Sequence, residues 1–306
     1  MPMSFEMSRP LQGEVFDLGI AQPENQIDTP VLWEVNRHHA VALAGGRAMW
    51  MQLAHPAVAQ AVADHGIFQD HPAKRLMQTG KAGIWSVFGT TEEAKLIIGE
   101  INGRHGNVKG VINEAATRKH PAGEPYDAQD PAVKLWVAAT VVDSAIVGYE
   151  KFVKPLSDGE KDQYWDEAKL KVFALFGLPP KSLPKTYKDL QAYIEKMIND
   201  EEVDVSPFAR KLSEKAVLSH SPITGIPASF LKLTTIYTID SRLRKKFGHK
   251  DIMLQRALFN NFASAIRENM DRLPAVFREF TSYKRAMKGE NVVPLSMIPF
   301  PPPYRE

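Results

Sequence analysis

Cysteine is absent from all 306 residues. That excludes disulfides, thiolate nucleophiles, zinc–thiolate sites and cysteine-held iron–sulfur clusters. Any metal must be met by His, carboxylate, Met or Tyr side chains, or arrive inside a preassembled cofactor. An excess of one charge is also lacking. The 38 basic residues face 36 acidic ones, a net of +2, which supplies no electrostatic reason to expect nucleic acid as a partner. No run of about 18 uncharged apolar residues occurs, so no membrane-spanning segment is expected. The N-terminal stretch carries Glu6, Glu14 and Asp17 and lacks the apolar core of a signal peptide. The cytoplasm is therefore the expected compartment. Alternating strand patterns of useful length, internal repeats and flexible linkers are missing too. So are the Glu-x-x-His pairs that a carboxylate-bridged di-iron bundle requires.

What is present is helical periodicity. The chain is long enough for a substantial core, and its 44% hydrophobic and 24% charged content is that of an ordinary globular protein. Residues 1–28 read as an irregular arm containing Pro10, Gly13, Gly19 and Pro23. Thr29-Pro30 marks a first helix, whose apolar positions include Leu32, Val35, Ala42 and Leu43. Gly45-Gly46 interrupts that pattern, which a kink, a flat partner or close helix–helix packing would each explain. Further helices are predicted after His55-Pro56, after the Thr90-x-x-Glu93 capping box, after Asp130-Pro131 and after the Ser157-x-x-Glu160 box. Later ones cover about 186–199, 207–219, 227–246, 251–268 and 274–288. The helix after Pro131 is apolar around most of its circumference and belongs at the centre of a bundle. The basic run Arg242, Arg244, Lys245, Lys246 reads as a solvated helix end. No strongly basic amphipathic helix demands a peripheral membrane contact. The expected architecture is one all-α multi-helix domain over 29–290, followed by an extended proline-rich tail at 291–306.

Residues with chemical potential concentrate between 37 and 110. Ala94, Ile97, Ile98, Ile101, His105 and Val108 share one helical stripe, so His105 faces the core near a helix C-terminus. A satisfied core histidine and a haem ligand are both compatible with that position. Arg75 and Thr79 lie one helical turn apart; Arg75 suits either a surface ion pair or a haem propionate. His55 suits either a helix cap or a pocket wall. His38 and His39 diverge, so at most one faces inward. Met49, Met51, Met77, Trp50, Trp85 and Phe88 could wall an apolar pocket or simply fill the core.

These residues also carry a resemblance. The order is Arg37, Gly45-Gly-Arg-Ala48, Gln52-Leu-Ala-His-Pro56, Arg75-x-x-x-Thr79, Phe88-Gly-Thr90 and His105-x-x-Val108-x-Gly110. It continues through Tyr126, Asp130-Pro131, Trp136-Val137, Pro155-Leu156 and Phe176-Gly-Leu-Pro179. Over about residues 33–270 it resembles the catalytic domain of the rubber oxygenase (latex-clearing protein) and MpaB-type oxygenase family. The resemblance implies a helical fold with a globin-like core around haem b, in enzymes that cleave isoprenoid carbon–carbon double bonds with dioxygen. It makes His105 the proximal iron ligand and places Arg75, Gln78 and Thr79 on the distal helix. Arg37, Arg47 and His55 join Arg75 and His105 as cofactor contacts. Two positions depart from the family pattern. Gln78 stands where rubber oxygenases have a lysine that can ligate the iron, and Ala138 stands where a histidine is usual. The implied partners are dioxygen and an apolar small molecule such as an unsaturated lipid or terpenoid, with homo-oligomerisation left open. A haem sensor or carrier without turnover, and a helical binding protein without cofactor, stay as alternative readings.

Overall fold

The computed structural model describes residues 29–65, 72–113, 119–224 and 227–293, with the helix backbone alone for 72–78 and 216–224. Within them the fold is all-α, as the sequence predicts. The first helices are α1 (Val31–Asn36), α2 (Gly45–Leu53), α3 (Pro56–His65), α4 (Pro72–Phe88) and α5 (Thr91–His105). Next come α6 (Pro131–Phe152), α7 (Asp158–Ala168), α8 (Tyr187–Asn199), α9 (Pro207–Thr224) and α10 (Ala228–Thr238). The last are α11 (Ser241–Lys246), α12 (Met253–Asn269), α13 (Ala275–Arg278) and α14 (Thr281–Met287). One antiparallel pair, β1 (Lys109–Val111) and β2 (Pro125–Asp127), aligns Gly110 with Tyr126. At three residues each, these strands are too short for any alternation to show in sequence.

The central helix is α6. Asp130 caps it by accepting from Ala132 N at 2.8 Å, and Pro131 occupies its first turn. Its buried positions, among them Trp136, Ala139, Val142, Ile146, Tyr149 and Phe152, surround the helix. They meet α1, α2, α7, α8, α12 and the 3₁₀ segment His39–Ala44. Gly148 permits this approach, because a Cβ there would lie 2.8 Å from the Ala44 methyl. By length and composition alone α6 could cross a membrane, with mean hydropathy 1.4. Over half of that apolar window is nevertheless buried inside the protein, as befits the core helix of a bundle.

Three sequence expectations need correction. The break in the first helical stretch falls at Arg37–His38, and Gly45-Gly46 instead opens α2. The reason for Gly46 is close helix packing, since a Cβ there would sit 2.2 Å from Thr235 Oγ1 of α10. The helix expected over 227–246 is two, because Asp240 caps a new start by accepting from Arg242 N at 2.8 Å. The helix expected over 274–288 is likewise split into α13 and α14, with Glu279 bridging back to His38. The expected arm 1–28 and most of the tail 291–306 lie outside the described residues.

Candidate functional site

Helices α4 and α5 pack against one another across a two-residue corner. At Gly89 a Cβ would lie 2.5 Å from the Trp85 carbonyl, so only glycine fits. Thr90 and Glu93 then form a reciprocal capping box: Thr90 Oγ1 accepts from Glu93 N at 3.2 Å and Glu93 Oε2 accepts from Thr90 N at 2.9 Å. Glu93 is buried, and its other oxygen accepts from Val293 N at 2.8 Å. From below, the buried Lys171 donates to the Gly89 carbonyl at 2.9 Å. It reaches there from a π-helical turn, Lys169–Phe173, that continues α7. Burial pushes the Lys171 ammonium down to about 8 against the pull of Glu93 and Glu92.

A hairpin closed so firmly at one end sends the N-terminal half of α4 and the C-terminal end of α5 to its other end. Arg75, Gln78 and Thr79 lie in that half of α4, and His105 is the last residue of α5. Thr79 is exposed, and the side chains of Arg75, Gln78 and Met77 lie outside the described residues. Along α5 the predicted apolar stripe is real but graded. Ala94, Ile97 and Ile98 are fully buried, whereas Ile101, His105 and Val108 are half-buried. The imidazole thus emerges from the core where the hairpin opens. The His105 carbonyl accepts from Val108 N at 3.1 Å, and the next residue closes the helix as Gly106 N donates to the Asn102 carbonyl at 3.0 Å.

Beyond His105 the chain turns into β1, and Ile112 helps line a cavity of about 400 Å³. Its lining mixes apolar side chains, among them Ala57, Val133 and Leu135, with the polar His55, His120, Glu124, Tyr193, Lys196 and Glu202. His55 precedes α3, its carbonyl accepting from Ala59 N at 2.9 Å. Its side chain is buried, and Nδ1 has no hydrogen-bond partner among the described residues. The His55 and His120 rings stand 5.2 Å apart. His120 Nδ1 lies 2.9 Å from Glu124 Oε2, and its Nε2 lies 3.7 Å from Glu202 Oε2. Burial, reinforced by the charge of His120, pushes the His55 imidazole down to about 4, so it is neutral at physiological pH. At the far side Tyr126 donates to Asp64 Oδ2 at 2.7 Å, and its ring covers Gly110 so closely that no Cβ would fit there. Burial, and then Asp64, raise the phenol's pKa.

Arg37 and Arg47 are placed differently. Arg47 is buried between α2 and α6, donating to Thr238 O at 2.8 Å, Ser144 Oγ at 2.7 Å and Asp143 Oδ2. Tyr187 donates to the remaining Asp143 oxygen at 2.6 Å, closing the network. Arg37 pairs with Glu34 at 2.8 Å and Glu279 at 2.7 Å. Burial opposes ionisation of Glu34, yet hydrogen bonding from His38 and Arg37 and the Arg37 charge hold it at about 2. Both guanidiniums are directed at carboxylates of the chain itself. His38 is the buried member of its pair and His39 the exposed one, in keeping with their divergence in sequence. Trp50, Met51, Trp85 and Phe88 are buried in the main core, and Trp50 donates to Ser213 O at 3.0 Å. Ala138 is buried within α6.

Sequence reasoning did not find His120, Glu124, Lys196 or Glu202. A His-x-x-x-Glu spacing at 120–124 was the available signal, but His55 and Glu202 reach it only through the fold. Among the described residues no cluster of three or more His, Asp or Glu side chains has the geometry to hold a metal ion directly.

Fold and site together define an α-helical domain with a histidine at the open end of a helical hairpin. The chain belongs to the family described as ER-bound oxygenase mpaB/B'/Rubber oxygenase, catalytic domain, which it matches over residues 33–268. It is also 31% identical over 123 residues to two curated relatives. These are uncharacterized protein Mb2261 of Mycobacterium bovis and uncharacterized protein Rv2237 of Mycobacterium tuberculosis. That alignment covers 39% of this chain and 45% of each relative, so the chain spans about half the length of the curated relatives it matches. No solved structure matches.

Proposed function

We propose that this protein is a haem b-dependent oxygenase acting on an unsaturated lipid or terpenoid-like molecule, with His105 as the iron ligand. The observation that carries the reading is the α4–α5 hairpin. It brings the ends bearing Arg75, Gln78, Thr79 and His105 away from the sealed Gly89–Thr90 corner, within a chain of an oxygenase family. The fit of a flat iron-bearing group rests on the graded burial of α5, which leaves the His105 imidazole half-exposed at the end of a packed stripe. A ligand histidine needs one nitrogen free to face the metal and the other oriented by a neighbour.

The bound haem would supply the iron centre at which dioxygen is activated. The remaining roles fall to the chain. His105 would ligate as the neutral imidazole. Arg37 and Arg47 already pair with Glu34, Glu279 and Asp143, so recognition of the propionate carboxylates falls on Arg75. Gln78 would offer an amide donor where the rubber oxygenases offer a ligating amine. Thr79, one residue on, adds a hydroxyl donor. His55 lines the neighbouring cavity as a neutral imidazole and would orient the polar end of a substrate whose apolar body lies against Val133 and Leu135.

Absorption spectra of the protein produced with ample haem, compared with His105→Ala, test this directly. A Soret band that is lost or displaced in the variant supports the ligand assignment. Absence of both Soret band and iron from the haem-supplied protein overturns the proposal. Haem binding without oxygen consumption, across a panel of alkenes, would mark a sensor or carrier instead.

A further inference from the structure

The basic run ending α11 leads through the short connection 247–252 into α12, and Arg244 of the one and Arg256 of the other meet at Asp251. Large apolar side chains there are left uncovered by the described residues: Met253 is 86% exposed, Leu254 70%, Leu258 50% and Ile252 45%. Leu254 and Leu258 stand one helical turn apart on the outer face of α12, with Ala257 between them also exposed. On the inner face Phe259 and Ala263 alone are buried, so α12 lies on the surface with its apolar front outward. Single exposed apolar residues are commonplace, but a contiguous group of four at a helix start marks a contact surface.

The charge around this junction is lopsided in a chain that is otherwise nearly neutral. Between Arg242 and Arg256 the sequence has six basic residues and one acid, Asp251. Asp251 is already taken by Arg256 and Arg244, Arg242 by Glu195 and Asp240, and Lys246 by Asp204. Lys245 and Lys250 are exposed and have no ion-pair partner among the described residues. An isologous contact with a second copy would bring these like charges face to face. A bilayer bearing anionic headgroups complements both features, taking the apolar group into its interface and the lysines at its surface.

We propose that the α11–α12 junction, with its exposed Ile252, Met253, Leu254 and Leu258 and with Lys245 and Lys250, docks the protein onto an anionic membrane surface. This rests on the surface alone and not on the haem assignment, so either can fail without the other. Docking would present the protein to a phase in which apolar substrates concentrate.

Co-sedimentation of the full chain with phosphatidylcholine vesicles, and with vesicles that also contain phosphatidylglycerol, reads this out. The expected result is binding to the anionic vesicles that weakens with salt. Lys245→Glu with Lys250→Glu should weaken it on the order of tenfold or more. Met253→Asp with Leu254→Asp should abolish it at unchanged helicity, since neither side chain is packed. Failure of the wild type to sediment with anionic vesicles overturns the proposal, as does binding that survives both double variants. So does a dimer by light scattering that the Met253→Asp, Leu254→Asp variant converts to monomer, which would assign the face to a second copy.

Discussion

Arg47 and His55 are both buried on neighbouring helical segments, yet their surroundings are opposite. Every donor group of Arg47 used in the structure meets an acceptor, and Asp143, its counter-ion, takes a further bond from Tyr187. His55 lines a cavity with Nδ1 unpartnered among the described residues, beside a second histidine. A buried polar group that is fully paired holds helices in register; one left unpaired beside open space is an opportunity for a ligand. In sequence both residues looked like cofactor contacts. Their difference lies wholly in what the fold brings to them.

The sharpest way to break this comparison is to unpair the closed network. Arg47→Met should destabilise the protein by about 3–5 kcal/mol, because it strands Asp143 in the core. Urea unfolding measures this, and a loss under about 1 kcal/mol would mean water reaches Asp143. For the open site, the pH dependence carries the information. Folded His55 binds its proton near pH 4 and the unfolded residue near 6.5. Between those values the unfolded state holds the extra proton, so stability is intact above pH 6.5 and falls as pH drops toward 4. The total is about 3–4 kcal/mol. His55→Gln should flatten that limb, and an unchanged slope would show that His55 does not titrate there.

Smaller effects test the helix contacts that position the two regions. Gly46→Ala should cost about 1–3 kcal/mol by overlap with Thr235, and Thr235→Ala in the same chain should restore part of it. Additive losses in thermal unfolding would show that the two helices do not meet there. Thr90→Ala, which removes half of the capping box, should cost about 1 kcal/mol. At the bottom of the scale, Leu258→Ser on the exposed face of α12 should alter stability by no more than about 0.5 kcal/mol. A larger loss in calorimetry would mean that this side chain is packed after all.

Much of the molecule was legible without coordinates. The capping boxes at Thr90 and Ser157, the Asp130-Pro131 start and the mostly apolar circumference of the helix that follows are local signals. They depend on hydrogen bonds and burial within a few residues. For the same reason the stripe ending in His105 could be read from spacing alone, and the family was recognisable from the order of its short motifs. Tertiary structure decided the rest. It used Gly46 for a helix crossing rather than a kink, and gave Arg37 and Arg47 carboxylate partners. It also set His120 and Glu202 beside His55, and left the front of α12 uncovered. None of these is encoded at helical spacing, because each depends on which distant segment comes to lie alongside. A sequence fixes the propensity of a stretch to bury one face; only the completed packing determines what meets that face, and which faces meet nothing.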